Sequence, residues 1–421
     1  MFSEEQIISV DSLPREIING ATYVIKQANP NSYTHGMFKY PCKFIPEIPR
    51  WALKKYTCSQ EAIIFDPFMG SGTTALEACI NGYDAYGTEI DDIAKLITEV
   101  KTRRMSGGQL LRVQEESDKL REIVKNEYFP SYQPDINNIE HWFSGSVIGE
   151  LGRVRAYIES IEDKIIRDFF LLCMVSIVKR VSYADDTSPK PYVSRRIIKT
   201  PPPVEKELFS VIDRYSCMVK DLNEIENFGK YSIVKGDALN FTVKEKISLA
   251  ITSPPYINAF DYGRTMRLEN LWAGAITEEG LREKKAFYVG TEKIRIGEEI
   301  ENLEIIEMSK KLKYYYSEVS KIDSKRGLII KKFFEDMKTN MEKVYRNLAN
   351  GGRYVIVIGN SNIRKVEIES WKVIQEIGNE IGFETEIYFD YIIQNPYIRI
   401  PRMGKGGKIS KDHALVLRKG E

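Results

Sequence analysis

The chain has 421 residues, of which 43% are hydrophobic and 29% are charged, a composition that indicates a globular protein with a sizeable core. Its charges nearly cancel to a net +1, so contacts with nucleic acid would depend on local basic patches and not on the overall charge. It contains no apolar stretch of about 18 residues, which excludes a membrane-spanning helix and a membrane partner.

The N-terminus and the cysteines indicate the cellular compartment. The first residues lack the basic start and the apolar core of a signal peptide. The 5 cysteines are scattered and form no C-x-x-C pair, so the sequence indicates neither a zinc site nor a disulfide framework. A reducing cytoplasm is therefore the expected location.

Four short apolar runs are each followed by a polar residue, and each run is predicted to be a strand, with the run Leu249 to Thr252 buried. The polar residues are Asp66, Glu89, Asp237 and Ser253. In an open parallel sheet, ligands bind beyond the carboxyl ends of the strands. We therefore expect these four side chains to meet in one crevice.

The loop after the first of these strands is rich in glycine. Residues 66–75 read Asp-Pro-Phe-Met-Gly-Ser-Gly-Thr-Thr-Ala and open a helix predicted over Thr74 to Asn81. Gly70 and Gly72 allow a tight turn and a close approach of the backbone to a ligand. The spacing also fits the dinucleotide fingerprint G-x-G-x-x-A, so an NAD-binding domain is an alternative. The carboxylate of Asp66 counts against it, because a carboxylate repels pyrophosphate and suits a nucleoside that carries an ammonium or sulfonium group.

The fourth strand ends abruptly in the sequence Ser253-Pro254-Pro255-Tyr256. The prolines end the hydrogen-bond ladder because neither has an N–H to donate. What remains is a stiff turn with one hydroxyl, a rigid carbonyl and one aromatic ring. Such a turn suits the planar amino group of a nucleobase, and an ordinary strand-to-loop turn is the alternative interpretation.

The rest of the chain extends the predicted sheet and interrupts it twice. Later strands are predicted over residues 351–358, 384–394 and 413–418, and a helix over residues 373–382. The last two strands, joined by the connection MGKGGKIS, are predicted to form an antiparallel hairpin at the sheet edge. Residues 101–230 have a mostly helical pattern and residues 275–332 are highly charged, and we interpret both as insertions into the α/β core.

Taken together, these motifs resemble those of the amino-group DNA methyltransferases, which use S-adenosylmethionine. The family's F-x-G-x-G element matches residues 68–72, and its (D/N/S)-P-P-(Y/F) element matches residues 253–256. Residues 41–46, Pro-Cys-Lys-Phe-Ile-Pro, are similar to the family's P-A-K-F-x-P segment, with Cys42 where alanine is usual. Asp237 resembles the acid that meets the adenine amino group, and Glu89 resembles the acid that binds the ribose.

The resemblance implies a Rossmann-like α/β fold with a mostly parallel sheet, an antiparallel C-terminal hairpin and large, mainly helical insertions. Residues 1–100 would hold the N-terminal cofactor segment and the first half of the catalytic domain. Residues 101–230 would be a helical insertion and a candidate target-recognition region. Residues 231–421 would hold the second half of the catalytic domain, with the charged insertion at about 275–332. The expected S-adenosylmethionine-binding residues are Lys43, Phe44, Asp66, Pro67, Phe68, Gly70, Gly72, Thr73, Glu89, Ile90, Asp237, Ala238 and Ser253.

The same resemblance implies the reaction. Ser253, Pro254, Pro255 and Tyr256 would be the catalytic residues, with Tyr256 stacked on a base that has left the duplex. Serine at position 253 is more typical of enzymes that methylate cytosine N4, while adenine-N6 enzymes usually carry Asp or Asn there. An adenine-N6 enzyme, an RNA methyltransferase and a catalytically silent cofactor-binding specificity module are the alternatives.

Double-stranded DNA is the expected partner. A restriction endonuclease that acts separately on the same DNA is a second expected partner. The candidate DNA contacts are Arg180, Arg195, Arg196 and Arg264. Residues 258–264, followed by Arg267 and Trp272, are expected to shape the pocket of the target base, with a solvated loop and a core tryptophan as the alternative. A solvated surface is the alternative interpretation of such basic clusters. We expect a monomer, with target recognition in one or both insertions.

Overall fold

The computed structural model describes residues 7–26, 29–196, 198–257, 261–294, 303–392 and 411–421. Its strands are β1 (Ile7–Val10), β2 (Thr22–Ile25), β3 (Ile64–Asp66), β4 (Ala85–Gly87), β5 (Tyr231–Ile233), β6 (Ile247–Thr252), β7 (Leu348–Gly359), β8 (Ser361–Ile363), β9 (Val366–Ile368), β10 (Phe383–Ile392) and β11 (Lys411–Lys419). Its helices are α1 (Glu47–Tyr56), α2 (Thr73–Ile80), α3 (Asp92–Lys101), α4 (Gly107–Lys125), α5 (Ile139–Trp142), α6 (Gly145–Glu159), α7 (Lys164–Val178), α8 (Val204–Asn223), α9 (Tyr262–Thr265), α10 (Arg267–Ala273), α11 (Glu278–Lys284), α12 (Glu304–Glu307), α13 (Lys310–Ile322), α14 (Ser324–Asn347) and α15 (Ser370–Ile381). Short 3₁₀ turns cover Tyr33–Gly36 and Lys285–Phe287.

One mixed sheet organises the molecule, in the order β1-β2-β10-β11-β7-β6-β3-β4-β5. Its neighbouring strands run parallel except at the pairs β10–β11 and β11–β7, which are antiparallel. A separate small hairpin pairs β8 with β9. The mostly parallel Rossmann-like sheet and its antiparallel C-terminal hairpin confirm the predicted fold class.

The predicted place of that hairpin was wrong. β10 does not lie at the sheet edge, because β2 pairs with it in parallel at Asp390↔Thr22 and Tyr391↔Tyr23, and β1 then extends the sheet. Strands β1 and β2, of four residues each, were not predicted. The connection MGKGGKIS lies outside the described residues.

Helix ends follow local chemistry. Asp91 accepts a hydrogen bond from the Ala94 amide and so caps the start of α3. Gly382, with φ of 112°, ends α15 where the sequence predicts. No helix in the described part of the chain is long and apolar enough to cross a membrane.

The two interrupting segments differ in how they join the sheet. Helices α4 to α8 lie between β4 and β5 and share a hydrophobic core built around the buried face of α7. The charged segment holds α11 to α13 and enters α14, a continuous helix that crosses the predicted boundary at residue 332. Phe333, Phe334 and Met337 of α14 are fully buried in the cluster that also contains residues of β6 and β7.

Candidate active site

A cavity of about 450 Å³ lies beyond the carboxyl ends of β6, β3, β4 and β5, which are adjacent parallel strands. The predicted site residues that line it are Lys43, Phe44, Pro67, Phe68, Gly70, Thr73, Glu89, Ile90, Asp237, Ala238, Ser253 and Pro255. The other predicted site residues, Asp66, Gly72, Pro254 and Tyr256, lie outside the lining. Three of the four strand-end side chains therefore share one cavity.

The glycine loop has the backbone conformation that its residues allow. Gly70 and Gly72 have φ of 53° and 73°, in the left-handed region where a side chain is strained. The loop is held from behind by α3. Thr98 Oγ1 donates to the Gly70 carbonyl at 3.1 Å, and Lys101 Nζ donates to the Ser71 carbonyl at 2.8 Å. Lys101 is fully buried, and burial holds its pKa well below the ordinary value.

Glu89 is oriented by the backbone around it. Its Oε2 accepts from the Gly70 amide at 2.8 Å, and its Oε1 accepts from the amides of Ile90 and Asp91 at 2.8 and 2.9 Å. Removal of the carboxyl group from water raises the pKa of Glu89 to about 7, although these amides oppose the shift. The carboxylate is thus fixed in direction at the cavity wall.

Asp237, which follows β5, lines the same cavity. Its Oδ1 accepts from the amides of Leu239 and Asn240, each at 2.8 Å, which folds the loop into a tight turn. The Ala238 carbonyl receives the side-chain amide of Asn340 at 2.7 Å. Helix α14 therefore holds this loop in place.

Asp66 does not face the ligand space as the sequence suggests. It is 1% exposed, and its Oδ1 accepts from Thr252 Oγ1 at 2.6 Å and from the Phe68 amide at 3.0 Å. Burial raises the pKa of Asp66 to about 6. The carboxyl group joins the ends of β3 and β6 below the cavity, so it contributes to the site through the loop that it supports.

The Ser-Pro-Pro-Tyr turn presents its residues to different surroundings. Ser253 and Pro255 are half-buried and line the cavity, whereas Pro254 is buried. Tyr256 packs against the hydrophobic core, and its hydroxyl donates to Asp412 Oδ1 at 2.5 Å. Residues 258–260, which the sequence places in the base pocket, lie outside the described residues.

The segment similar to P-A-K-F-x-P forms another side of the cavity. Tyr40, Cys42, Lys43 and Phe44 line it, and Lys43 Nζ donates to the His35 carbonyl at 2.9 Å. Cys42 has φ of 57°, so the segment turns sharply at this residue.

Sequence reasoning missed the part of the wall that comes from the charged insertion. The missed lining residues of that insertion are Ala286, Phe287, Tyr288, Val289, Thr291, Lys293, Ile294 and Lys332, and Asp336 lies beyond it in α14. Ion pairs of Lys284 with Asp92 at 2.7 Å and of Lys285 with Asp261 at 2.6 Å attach this segment to the starts of α3 and α9. No motif marks these residues, so no sequence signal could have found them.

Three aromatic rings cover the Glu89 side of the cavity. Tyr262 stacks on Tyr40 with ring centroids 6.0 Å apart, and Tyr288 stacks on Tyr262 with centroids 6.3 Å apart. The Tyr288 hydroxyl donates to Asp91 Oδ2 at 3.1 Å. The rings come from three distant parts of the chain, and only the fold brings them together.

The candidate DNA contacts lie at exposed positions with different electrostatic surroundings. Arg180 forms ion pairs with Asp186 at 3.2 Å and Glu207 at 3.6 Å. Among the described residues, the exposed side chains of Arg195 and Arg196 form no ion pair. Arg264 is exposed at the end of α9.

Two further residues from the expected base pocket have structural partners. Arg267 binds Glu278 through both oxygens, at 2.7 and 2.6 Å, and Trp272 is fully buried in the helical core. Neither side chain is free to contact a base in this arrangement.

The cavity fits an adenosine-bearing cofactor such as S-adenosylmethionine. Its volume lies within the range of small-molecule sites, and apolar side chains such as Phe68, Ile90 and Leu239 alternate with the carboxylates of Glu89 and Asp237. The amides around Glu89 hold its two oxygens in a fixed position. These oxygens can accept further hydrogen bonds from the hydroxyl groups of a ligand. The carboxylates of Glu89 and Asp237 would repel a negatively charged pyrophosphate group, and this disfavours the NAD alternative.

Comparisons with known proteins agree with this chemistry. The DNA methylase family model matches residues 11–99. The type II methyltransferase M.MvaI of Kocuria varians is 24% identical, with 97% of this chain and 94% of that protein covered. The type II methyltransferase M.BsoBI of Geobacillus stearothermophilus is 26% identical over 61% of this chain and 56% of its own.

A solved structure was also matched. TTHA0409 of Thermus thermophilus, crystallised with S-adenosyl-L-methionine, has 24% identity over 21% of this chain and 38% of its own, with a TM-score of 0.18. The motifs at the cavity and the matches along the chain together support the similarity of this protein to the S-adenosylmethionine-dependent amino-group DNA methyltransferases.

Proposed function

We propose that this protein methylates the exocyclic N4 amine of cytosine in double-stranded DNA. The position of Ser253 carries the proposal: it directly follows β6 and lines the same cavity as Glu89 and Asp237. Serine at this point of the motif supports cytosine as the target. The relatives named as type II methyltransferases support a role beside a restriction endonuclease.

In the proposed site, Glu89 and Asp237 hold the ribose and adenine ends of S-adenosylmethionine, and Lys43 and Phe44 enclose its methionine end. The loop at residues 66–75 supports the cofactor from below. When bound, the cofactor supplies an electrophilic methyl group.

The protein's own residues would make the amine reactive. The lone pair of a cytosine amine is delocalised into the ring, so the nitrogen is a poor nucleophile. Ser253 Oγ and the Pro254 carbonyl oxygen would accept its two hydrogens and localise the lone pair. The rigid prolines fix both acceptors in advance, so catalysis depends on positioning and electrostatics and needs no covalent bond to the protein.

A recessed site also requires movement of the DNA base. Ser253 is half-buried, and a cytosine inside a duplex cannot reach it. We therefore propose that the base leaves the stack, at a cost of a few kcal/mol, and that its face contacts the half-buried ring of Tyr256, which directly follows the cavity-lining Pro255. The helical segment 101–230 would read the target, with Arg195 and Arg196 on the DNA phosphates.

The substitution Ser253→Ala tests this mechanism. It removes one acceptor without changing the fold of the turn, so we expect methyl transfer to slow by about 100-fold while S-adenosylmethionine affinity stays nearly unchanged. Both quantities can be measured with labelled cofactor and plasmid DNA. Unchanged turnover in this variant would rule out the proposed role of Ser253.

Product analysis decides the modified atom. DNA treated with the wild-type protein is digested to nucleosides and examined by mass spectrometry. N4-methylcytosine is the expected product. N6-methyladenine would correct the target base, and methylated RNA with unmodified DNA would correct the substrate class.

A further inference from the structure

The buried carboxylate of Asp412 binds two tyrosines from different parts of the chain. Tyr256 Oη donates to its Oδ1 at 2.5 Å, and Tyr391 Oη donates to its Oδ2 at 3.0 Å. Asp412 is 6% exposed and lies at the start of β11. One carboxylate thus joins the catalytic turn to the closing hairpin.

The two hydrogen bonds have different structural settings. Tyr391 is directly opposite Asp412 in the β10–β11 register, and it is 1% exposed, so sheet pairing and packing already hold that pair in place. Tyr256 lies beyond the end of β6, outside any strand. For the Tyr256 ring, the Asp412 contact is therefore a restraint on orientation that the sheet itself does not supply.

The backbone of Tyr256 is held from another side. Gly290, with φ of 77°, approaches so closely that a Cβ there would lie 2.9 Å from the Tyr256 carbonyl oxygen. The neighbouring residues Tyr288 and Val289 line the cavity. The main chain of Tyr256 therefore lies against the charged insertion, and the hydroxyl at the end of its ring is bound by Asp412 of β11.

We propose that Asp412 is a positioning residue for methyl transfer, which holds the Tyr256 ring in the orientation that meets the target base. This inference rests on the proposed function. Hydrogen bonds to a charged acceptor in a site with little water are strong enough to select one orientation of a side chain. Without the bond, the ring turns about its side-chain torsions, and the base is no longer held in line with the acceptors at Ser253 and Pro254.

The two tyrosines provide a matched pair of variants. Tyr256→Phe and Tyr391→Phe each remove one hydroxyl from the same carboxylate and keep the ring. We expect Tyr256→Phe to slow single-turnover methyl transfer to plasmid DNA by about 10- to 100-fold, with S-adenosylmethionine affinity unchanged. Tyr391→Phe should lower the thermal unfolding temperature but keep the transfer rate within about twofold of wild type.

A double-mutant cycle completes the experiment. If Asp412 acts through Tyr256, the slowing caused by Asp412→Asn and Tyr256→Phe together should be no greater than about that of the stronger single variant. Equal slowing by both tyrosine variants, an unchanged rate in Tyr256→Phe, or additive effects would each overturn the inference. If Asp412→Asn does not fold, the comparison of the two tyrosine variants still decides. A wild-type protein that transfers no methyl group to DNA would instead refute the proposed function, and this inference with it.

Discussion

The carboxyl group of Glu89 has a fixed orientation and a raised pKa. Three backbone amides orient its oxygens, while burial raises its pKa to about 7. A protonated carboxyl is a weaker acceptor than a carboxylate for the hydroxyl groups of a ribose. Because the pKa is raised, the carboxylate form dominates only above pH 7 and is lost as the pH falls below it.

We therefore expect S-adenosylmethionine to bind more tightly at pH 8 than at pH 6, by about tenfold if only the carboxylate form binds. The affinity can be measured by calorimetry across this pH range. The amino group of the cofactor also titrates, so the Glu89→Gln variant is the control. Its affinity should be lower and should lack the part of the pH dependence due to Glu89. Identical pH profiles for the two proteins would contradict this assignment.

At the scale of elements, the glycine loop depends on α3 as much as on its own sequence. Thr98 and Lys101 of α3 both donate to carbonyl groups of the loop. The fit is tight at Gly72, where an added Cβ would lie 2.5 Å from Thr98 Cγ2. The loop and the helix therefore form one unit, and its shape sets the floor of the cavity.

The substitution Gly72→Ala should destabilise the protein. The left-handed backbone alone costs about 1–2 kcal/mol for an L-residue, and the contact with Thr98 adds to this cost. The expected result is a lower thermal unfolding temperature and weaker S-adenosylmethionine binding. Gly145→Ala at the start of α6 is the matched control, because nothing lies within 4 Å of an added Cβ there. Equal unfolding temperatures for the two variants would contradict this view of the loop.

At the scale of the whole molecule, the two interrupting segments contact the site differently. The charged segment supplies part of the cavity wall and is attached near Asp91 and Asp92, at the start of α3. The helical segment supplies most of a hydrophobic cluster that also includes residues of α3 and α10, and it presents Arg195 and Arg196 at an exposed loop. This division supports enclosure of the cofactor by the charged segment and DNA contact by the helical one.

Neutralising Arg195 and Arg196 together should weaken DNA binding and flatten its salt dependence. Each phosphate contact contributes about 0.9 to the slope of log affinity against log salt concentration, so the double alanine variant should lose up to about 1.8. Binding titrations of duplex DNA at several salt concentrations measure this slope. Arg180→Ala is the comparison, since Asp186 and Glu207 already pair with Arg180, and its effect should be smaller. An unchanged slope in the double variant would remove this loop from the interface.

Local sequence patterns were sufficient for much of the fold. The strands that end near Asp66, Glu89, Asp237 and Ser253 were predicted because buried parallel strands are short apolar runs. The helix that ends before Gly382 was predicted for a similar local reason. By contrast, β1 and β2 were not predicted, and the pairing of β2 with β10 brings together two distant parts of the chain.

The sequence by itself determined the chemistry at the strand ends: three carboxylates, a glycine turn and a Ser-Pro-Pro-Tyr turn in a fixed order along the chain. These are consequences of residue type and of positions close together in the chain. Only the tertiary structure placed Asp66 beneath the cavity, put residues 286–294 on its wall and joined Tyr256 to Asp412, 156 residues away. Contacts of this kind depend on how the elements pack, and no local pattern of side chains encodes them.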